Sequence, residues 1–103
     1  MRGDVYALKE SRGAVGHEQQ GRRYAVVLQA DELPLSTCLV APTSTRARPT
    51  SFRPEIELMA TPTMVMVEQT AAVDLSRLGE RVGRVTLADM QQIEDALRAV
   101  LRL

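Results

Sequence analysis

Only one stretch of this chain can form a long helix, and that bounds the fold. Thr86 and Asp89 make a T-x-x-D capping box, in which a side-chain oxygen and a backbone N–H at each end of the first turn satisfy one another. Leu87, Met90, Ile93, Leu97, Val100 and Leu101 then recur at helical spacing, with acids and arginines between them. Before Thr86 the chain is cut every few residues by Gly, Pro or acidic breakers. The pieces between the breaks are short, apolar and rich in valine. They read as strands over Asp4–Leu8, 22–29, 36–41, Glu55–Leu58, 63–67 and 81–85, with 71–73 extended. Pro42 ends regular pairing of the third strand or marks an edge. Asp74 and Gly79 bracket a short helical turn, as N-cap and stop. Some six strands and one terminal helix predict a mainly β (α+β) domain. Its expected form is a small antiparallel barrel or curled sheet lidded by the helix. At 103 residues, one domain with one core is the expected organisation.

Several function classes are disfavoured. No apolar run approaches the roughly 20 residues a membrane span needs. The N-terminal M-R-G-D-V-Y has no apolar core of a signal peptide, so the expectation is a cytoplasmic protein without a membrane partner. Cys38 is the only cysteine and His17 the only histidine, which excludes an internal disulfide, a cysteine zinc site and a histidine cage. Cys38 lies in an apolar run and reads as a small core residue rather than a nucleophile. Met64 and Met66 read as core filler or interface. No metal or cofactor is expected.

Formal net charge is zero, but the distribution is uneven. Lys9 is the only lysine among 13 basic residues. Between Ala41 and Pro54 the chain carries Arg46, Arg48 and Arg53 and no acid. That segment, T-S-T-R-A-R-P-T-S-F-R-P, fits a solvated connection, and it equally fits phosphate contact by arginine and hydroxyl groups. A second cluster opens the second strand. Residues 16–28 read G-H-E-Q-Q-G-R-R-Y-A-V-V-L: a loop between Gly16 and Gly21, then Arg22 and Arg23, then a buried run. Arg22 and Arg23 are solvated charges at a strand start, or fixed cations at the edge of a pocket; local pattern does not separate the two. Together the clusters form a positive patch if the fold unites them.

Five motifs occur in one order across the chain: G-D-V-Y, then G-H-E-Q-Q-G-R-R-Y-A-V-V-L, V-A-P-T-S-T, E-Q-T-A-A-V-D and R-V-G-R-V-T. The ordered set resembles the MazF/PemK/Kid family of type II toxin endoribonucleases over essentially the whole chain. The resemblance implies a small SH3-like antiparallel β-barrel of the CcdB/PemK-like toxin fold, assembled as a homodimer. It implies metal-independent cleavage of single-stranded RNA, in which the 2′-hydroxyl attacks the adjacent phosphate and leaves 2′,3′-cyclic phosphate and 5′-hydroxyl ends. A cognate MazE-like antitoxin would block the RNA groove.

Residue by residue, Arg23 matches the family's arginine at the scissile phosphate, where a guanidinium fork suits the charge that develops on non-bridging oxygens. Ser44 matches a hydroxyl position at which the family usually has threonine; Thr43 and Thr45 flank it. His17 matches a candidate general base of the Kid-like branch, or is a solvated loop histidine. Glu68 matches a position where the family commonly has aspartate, followed by the same glutamine, Gln69. The Kid-like branch places an arginine two residues before that acid; here the residue is Met66, which shifts weight to Arg23. Tyr24 replaces the usual proline, and offers either a stacking face or a packing residue. Arg22, Gln19, Gln20, Thr43, Thr45, Arg46, Arg48, Arg53 and Gln69 are the expected RNA-binding residues. Two alternatives share the fold: a CcdB-like gyrase poison, and an inactive antitoxin-binding co-repressor. The chain ends V-L-R-L, without the C-terminal aromatic pair typical of the gyrase poisons.

Overall fold

The computed structural model describes residues 1–9 and 23–103. Seven strands and one helix follow in order: β1 (Asp4–Leu8), β2 (Arg23–Val27), β3 (Thr37–Ser44), β4 (Glu55–Leu58), β5 (Thr61–Val65), β6 (Ala71–Asp74), β7 (Leu78–Arg84) and α1 (Leu87–Leu101). The sheet runs β4-β5-β3-β2-β1-β7, with β6 also paired to β3, and the pairings are antiparallel. The ends of that path approach one another. A Cβ on Gly83 of β7 would meet Leu58 of β4 at 3.2 Å. The sheet is therefore a curled half-barrel with a C-terminal helix, as the spacing predicts.

β2 explains the continuous apolar run at 25–28, because it is buried on both faces. Val26 points into the larger core with Val5, Ala41, Ile56, Leu58, Val65 and Val67. Ala25 and Val27 point the other way, into a smaller cluster with Cys38 and Val40. Burial pushes the Cys38 thiol up, so this cysteine is an inert packing residue. β4 shows the half-exposed alternation read from E-I-E-L: Ile56 and Leu58 are buried, Glu55 and Glu57 exposed.

The helix lids the larger core through Ile93 and Ala96, flanked by Met90 and Leu97. Its capping box forms as read, with the Asp89 N–H donating to Thr86 Oγ1 at 3.0 Å. The apolar stripe is longer than the sheet beneath it. Leu87 is 91% exposed, and Val100 and Leu101 overhang the other end. Among the described residues no helix is long and apolar enough to cross a membrane.

Several boundaries move. β3 continues through Pro42 to Ser44, and Pro42 marks where the strand changes partner, from β2 to β5. The Pro42 carbonyl still accepts the Met66 N–H at 2.8 Å. β5 begins at Thr61 and ends at Val65, and a 3-10 turn over Val67–Gln69 follows. Gly79 lies within β7, and Leu78 caps the turn that Asp74 starts by accepting the Ser76 N–H at 2.9 Å.

The N-terminus is tied down electrostatically. Asp4 meets Arg84 at 2.7 Å and Arg81 at 3.1 Å, joining β1 to β7. Burial alone would raise the Asp4 pKa; the two guanidiniums and the terminal amine outweigh it and hold the carboxyl below its usual range. Arg2 reaches Glu94 of α1 at 2.5 Å and also the Leu28 carbonyl.

Candidate active-site fork and arginine-rich loop

The strands that carry the candidate site part where they carry it. The β2–β3 ladder ends at Ala25 opposite Pro42. Beyond that pair, β2 stays with β1, placing Arg23 opposite Leu8, while β3 crosses to β5, placing Ser44 opposite Met64. Among the described residues one side-chain bond spans the opening: the Thr43 hydroxyl donates to the Tyr24 carbonyl at 3.4 Å. Side chains alternate along a strand, so Arg23 lies on the face of Ala25 and Ser44 on the face of Pro42. Ala25 and Pro42 are paired and share a face. Arg23 and Ser44 therefore occupy the two prongs of one fork, on the same side of the sheet.

Their chemistry is open. Arg23 is exposed, and among the described residues no acid forms an ion pair with it. Ser44 is half-buried, and its Oγ accepts the Arg46 N–H at 3.1 Å. Accepting there leaves the hydroxyl proton free to donate to an anionic oxygen. Thr43 differs, because its proton is directed at the Tyr24 carbonyl. Of the two, Ser44 is the better donor toward an incoming phosphate.

The second arginine cluster is built differently. Arg53 donates to Glu68 Oε2 from Nε at 2.9 Å and from Nη2 at 2.5 Å. Its Nη1 donates to the Arg48 carbonyl at 3.4 Å, and its guanidinium lies 5.6 Å from the Phe52 ring centroid. Phe52 packs on the larger core. Turn bonds from Arg53 N–H to the Thr50 carbonyl and from Phe52 N–H to Thr50 Oγ1 close the segment. The bond from Arg53 holds the Glu68 carboxyl below its usual range. An arginine does stand beside this acid, although position 66 is methionine; it comes from the loop before β4. Glu68 Oε1 is buried without a hydrogen-bond partner among the described residues. A cleft of about 420 Å³ opens beside Arg53, between the 49–55 segment and Gln92, Asp95 and Ala96 of α1.

The other expected residues sort simply. Thr45, Arg46, Arg48 and Gln69 are exposed. His17, Gln19, Gln20 and Arg22 lie outside the described residues. Among the described residues, no group of three or more His, Cys, Asp or Glu side chains comes together as a metal site. Sequence reading missed the Arg53–Glu68 pair and the anchoring by Phe52. The one available signal was an aromatic residue, the only phenylalanine of the chain, inside an otherwise polar loop.

Comparison with known proteins agrees with this architecture. The family model for PemK-like, MazF-like toxins of type II toxin–antitoxin systems matches residues 1–101. A Mycobacterium tuberculosis protein named as a toxin is 39% identical over 104 residues, covering 100% of this chain and 98% of that protein. Among solved structures, the M. tuberculosis toxin MazF-mt6 superposes with a TM-score of 0.80 at 15% identity, covering 97% of each chain. A mycobacterial endoribonuclease in complex with its cognate antitoxin superposes with a TM-score of 0.76 at 18% identity, over 100% of this chain and 95% of that one.

Proposed function

Since the chain belongs to the PemK-like, MazF-like family of type II toxins, we propose that it is an endoribonuclease that cuts single-stranded RNA at the β2–β3 fork. The observation that carries this reading is the placement of Arg23 and Ser44 on the same face of the two prongs of that fork, an exposed arginine on one and a hydroxyl with its proton free on the other. Both groups bind what changes most in the reaction. The 2′-oxygen attacks phosphorus, a P–O bond forms, and negative charge accumulates on the non-bridging oxygens. The P–O5′ bond then breaks, giving a 2′,3′-cyclic phosphate and a 5′-hydroxyl. Arg23 donates to the non-bridging oxygens, and Ser44 adds a second donor; such groups aimed at developing charge accelerate by stabilising it.

Arginine holds its proton too tightly to accept one from the 2′-hydroxyl. The resemblance offers His17 and Glu68 for that transfer. Glu68 is held ionised by Arg53, which weakens it as a base. His17 is then the better candidate, because imidazole is the side chain whose unperturbed pKa lies nearest neutrality. The exposed Arg46 and Arg48 would follow the RNA backbone, with Arg22, Gln19, Gln20, Thr45 and Gln69 as further RNA-binding residues. A homodimer blocked by a MazE-like antitoxin completes the reading, in keeping with the antitoxin complex of the mycobacterial relative.

The test is direct. Purified protein is incubated with total RNA in excess EDTA, and the ends of the products are mapped. Cleavage with 5′-hydroxyl ends is expected, and the chelator tests metal independence in the same tube. Intact RNA, with gyrase retained on the immobilised protein, would instead identify a gyrase poison.

A further inference from the structure

We infer that Arg53 and Glu68 form a strut that positions Ser44 and the Arg46–Arg48 segment, and that neither residue reacts with RNA. The inference rests on the RNA-cleaving reading above, and deepens it by assigning the residues that set the site's geometry.

The strut is one continuous line of bonds. Glu68 stands in the turn after β5, with its neighbour Val67 buried in the main core. Its Oε2 holds Arg53 through two donors. A third donor of the same guanidinium holds the Arg48 carbonyl. Two residues before Arg48, the Arg46 N–H donates to Ser44 Oγ. Among the described residues, these are the hydrogen bonds that fix the 45–49 segment against the rest of the chain. A rigid core element is thus linked through Arg53 to the backbone that orients the Ser44 hydroxyl. A planar guanidinium is suited to this task, because its five donors lie in fixed directions and satisfy separate acceptors at once.

The alternative roles fit less well. To bind RNA, Arg53 would have to leave Glu68 and strip the bonds from a carboxylate whose other oxygen, Oε1, is already buried without a partner among the described residues. As a general base, Glu68 would have to accept a proton while bound by two guanidinium N–H groups. Neither change is needed if the pair is a support, and a displaced support reduces the rate without touching substrate.

The test combines hydrogen exchange with a double-mutant cycle. In RNA-free protein, Arg53→Gln is expected to speed exchange of the 46–53 amides while leaving those of α1 unchanged. In the cleavage assay, Arg53→Gln should lower kcat by about tenfold, the size of one charge-assisted hydrogen bond removed. The same change in a Ser44→Ala background should cost less than about twofold, because the group being positioned is gone. The pH dependence of kcat should not move in either Arg53→Gln or Glu68→Gln. Arg53→Lys, which keeps the charge and one donor, should recover part of the loss and guards against simple misfolding.

Equal losses in both backgrounds would overturn positioning through Ser44. Loss of the acidic limb of the rate profile in Glu68→Gln would make Glu68 the base and also overturn it. Unchanged exchange at 46–53 would remove the strut itself, whatever the activity. If exchange responds but the wild-type protein cuts no RNA, the RNA reading fails, and so does positioning for cleavage.

Discussion

The fork at β2–β3 and the loop before β4 are both arginine-rich, and they use arginine in opposite ways. Arg23 stands exposed at the start of a strand, without an ion-pair partner among the described residues. Arg53 is half-buried and has donors on a carboxylate and a carbonyl. A cation is available to a ligand only when its donors are not already satisfied. By that measure the fork suits a ligand and the loop arginine suits a support, although both lie in segments that read alike in sequence. The largest test of this contrast is Arg23→Ala. On the RNA-cleaving reading, it should lower kcat on the order of 10³-fold, comparable to losing a main charge-stabilising donor. Because Arg23 is exposed, the urea midpoint should stay within error of the wild type. Near-wild-type cleavage by that variant would break the comparison at its centre.

The hydroxyls allow the same contrast on a smaller scale. Ser44→Ala should reduce kcat roughly 10- to 100-fold, the range of one hydrogen bond to a charged group. Thr43→Val should act on stability instead. The Thr43–Tyr24 bond is long, at 3.4 Å, so about 0.5–1 kcal/mol is the expected loss, read by denaturant unfolding. If Thr43→Val is the variant that loses activity, the phosphate lies on the other face of β3.

At Glu68 the predicted effect is on stability and its pH dependence. Glu68→Gln should destabilise the protein by about 1 kcal/mol at pH 7, since it leaves the half-buried Arg53 without its counter-charge. The sign of the pH effect follows from the lowered pKa of the folded carboxyl. That contribution is fully present above the unfolded glutamate pKa, roughly 4.3, and is lost as pH falls through the lower folded value. Urea midpoints of the two proteins should therefore differ at pH 7 and converge toward pH 2. Asp4 loses its contribution in the same direction, but equally in both proteins. A gap that persists unchanged at low pH would mean that Glu68 packs rather than pairs.

Much of this contrast could not be read in sequence, for identifiable reasons. Local chemistry was legible: the Thr86–Asp89 box, the Asp74 cap, and the alternation of E-I-E-L all appear where the residues place them. The two-sided burial of β2 was legible too, because a continuous apolar run has few other uses. The β4–β5 hairpin was not. Its two-residue turn puts Met59 and Ala60 at φ of 52° and 63°, conformations usually marked by glycine or asparagine. With neither present, the start of β5 read two residues late. The helix face misled in the other direction, since periodicity shows which residues align but not how far the sheet beneath extends. The fork and the strut depend on strand partners and loop path. Resemblance pointed to Arg23 and to Ser44 separately, but it had no means of joining Arg53 to Glu68, fifteen residues apart in unrelated segments.

The smallest predicted effect separates the arginines proposed to face RNA from the one proposed as a support. Arg48 presents its side chain to solvent while its carbonyl accepts from Arg53. Arg48→Ala therefore removes a charge and leaves the backbone acceptor of the strut in place. A protein cation on a single-stranded phosphate releases about 0.7 of a counterion, so log affinity plotted against log salt should become shallower by about 0.7 for each phosphate no longer neutralised. Arg46→Ala and Arg48→Ala are each expected to show that change, measured with an RNA whose 2′-hydroxyls are replaced so that it cannot be cut. Arg53→Lys should not, because its charge is retained and its partner is Glu68 rather than phosphate. A shallower slope for Arg53→Lys would place Arg53 on the RNA and erase the distinction between the two regions. An unchanged slope for both Arg46→Ala and Arg48→Ala would instead confine the RNA to the fork.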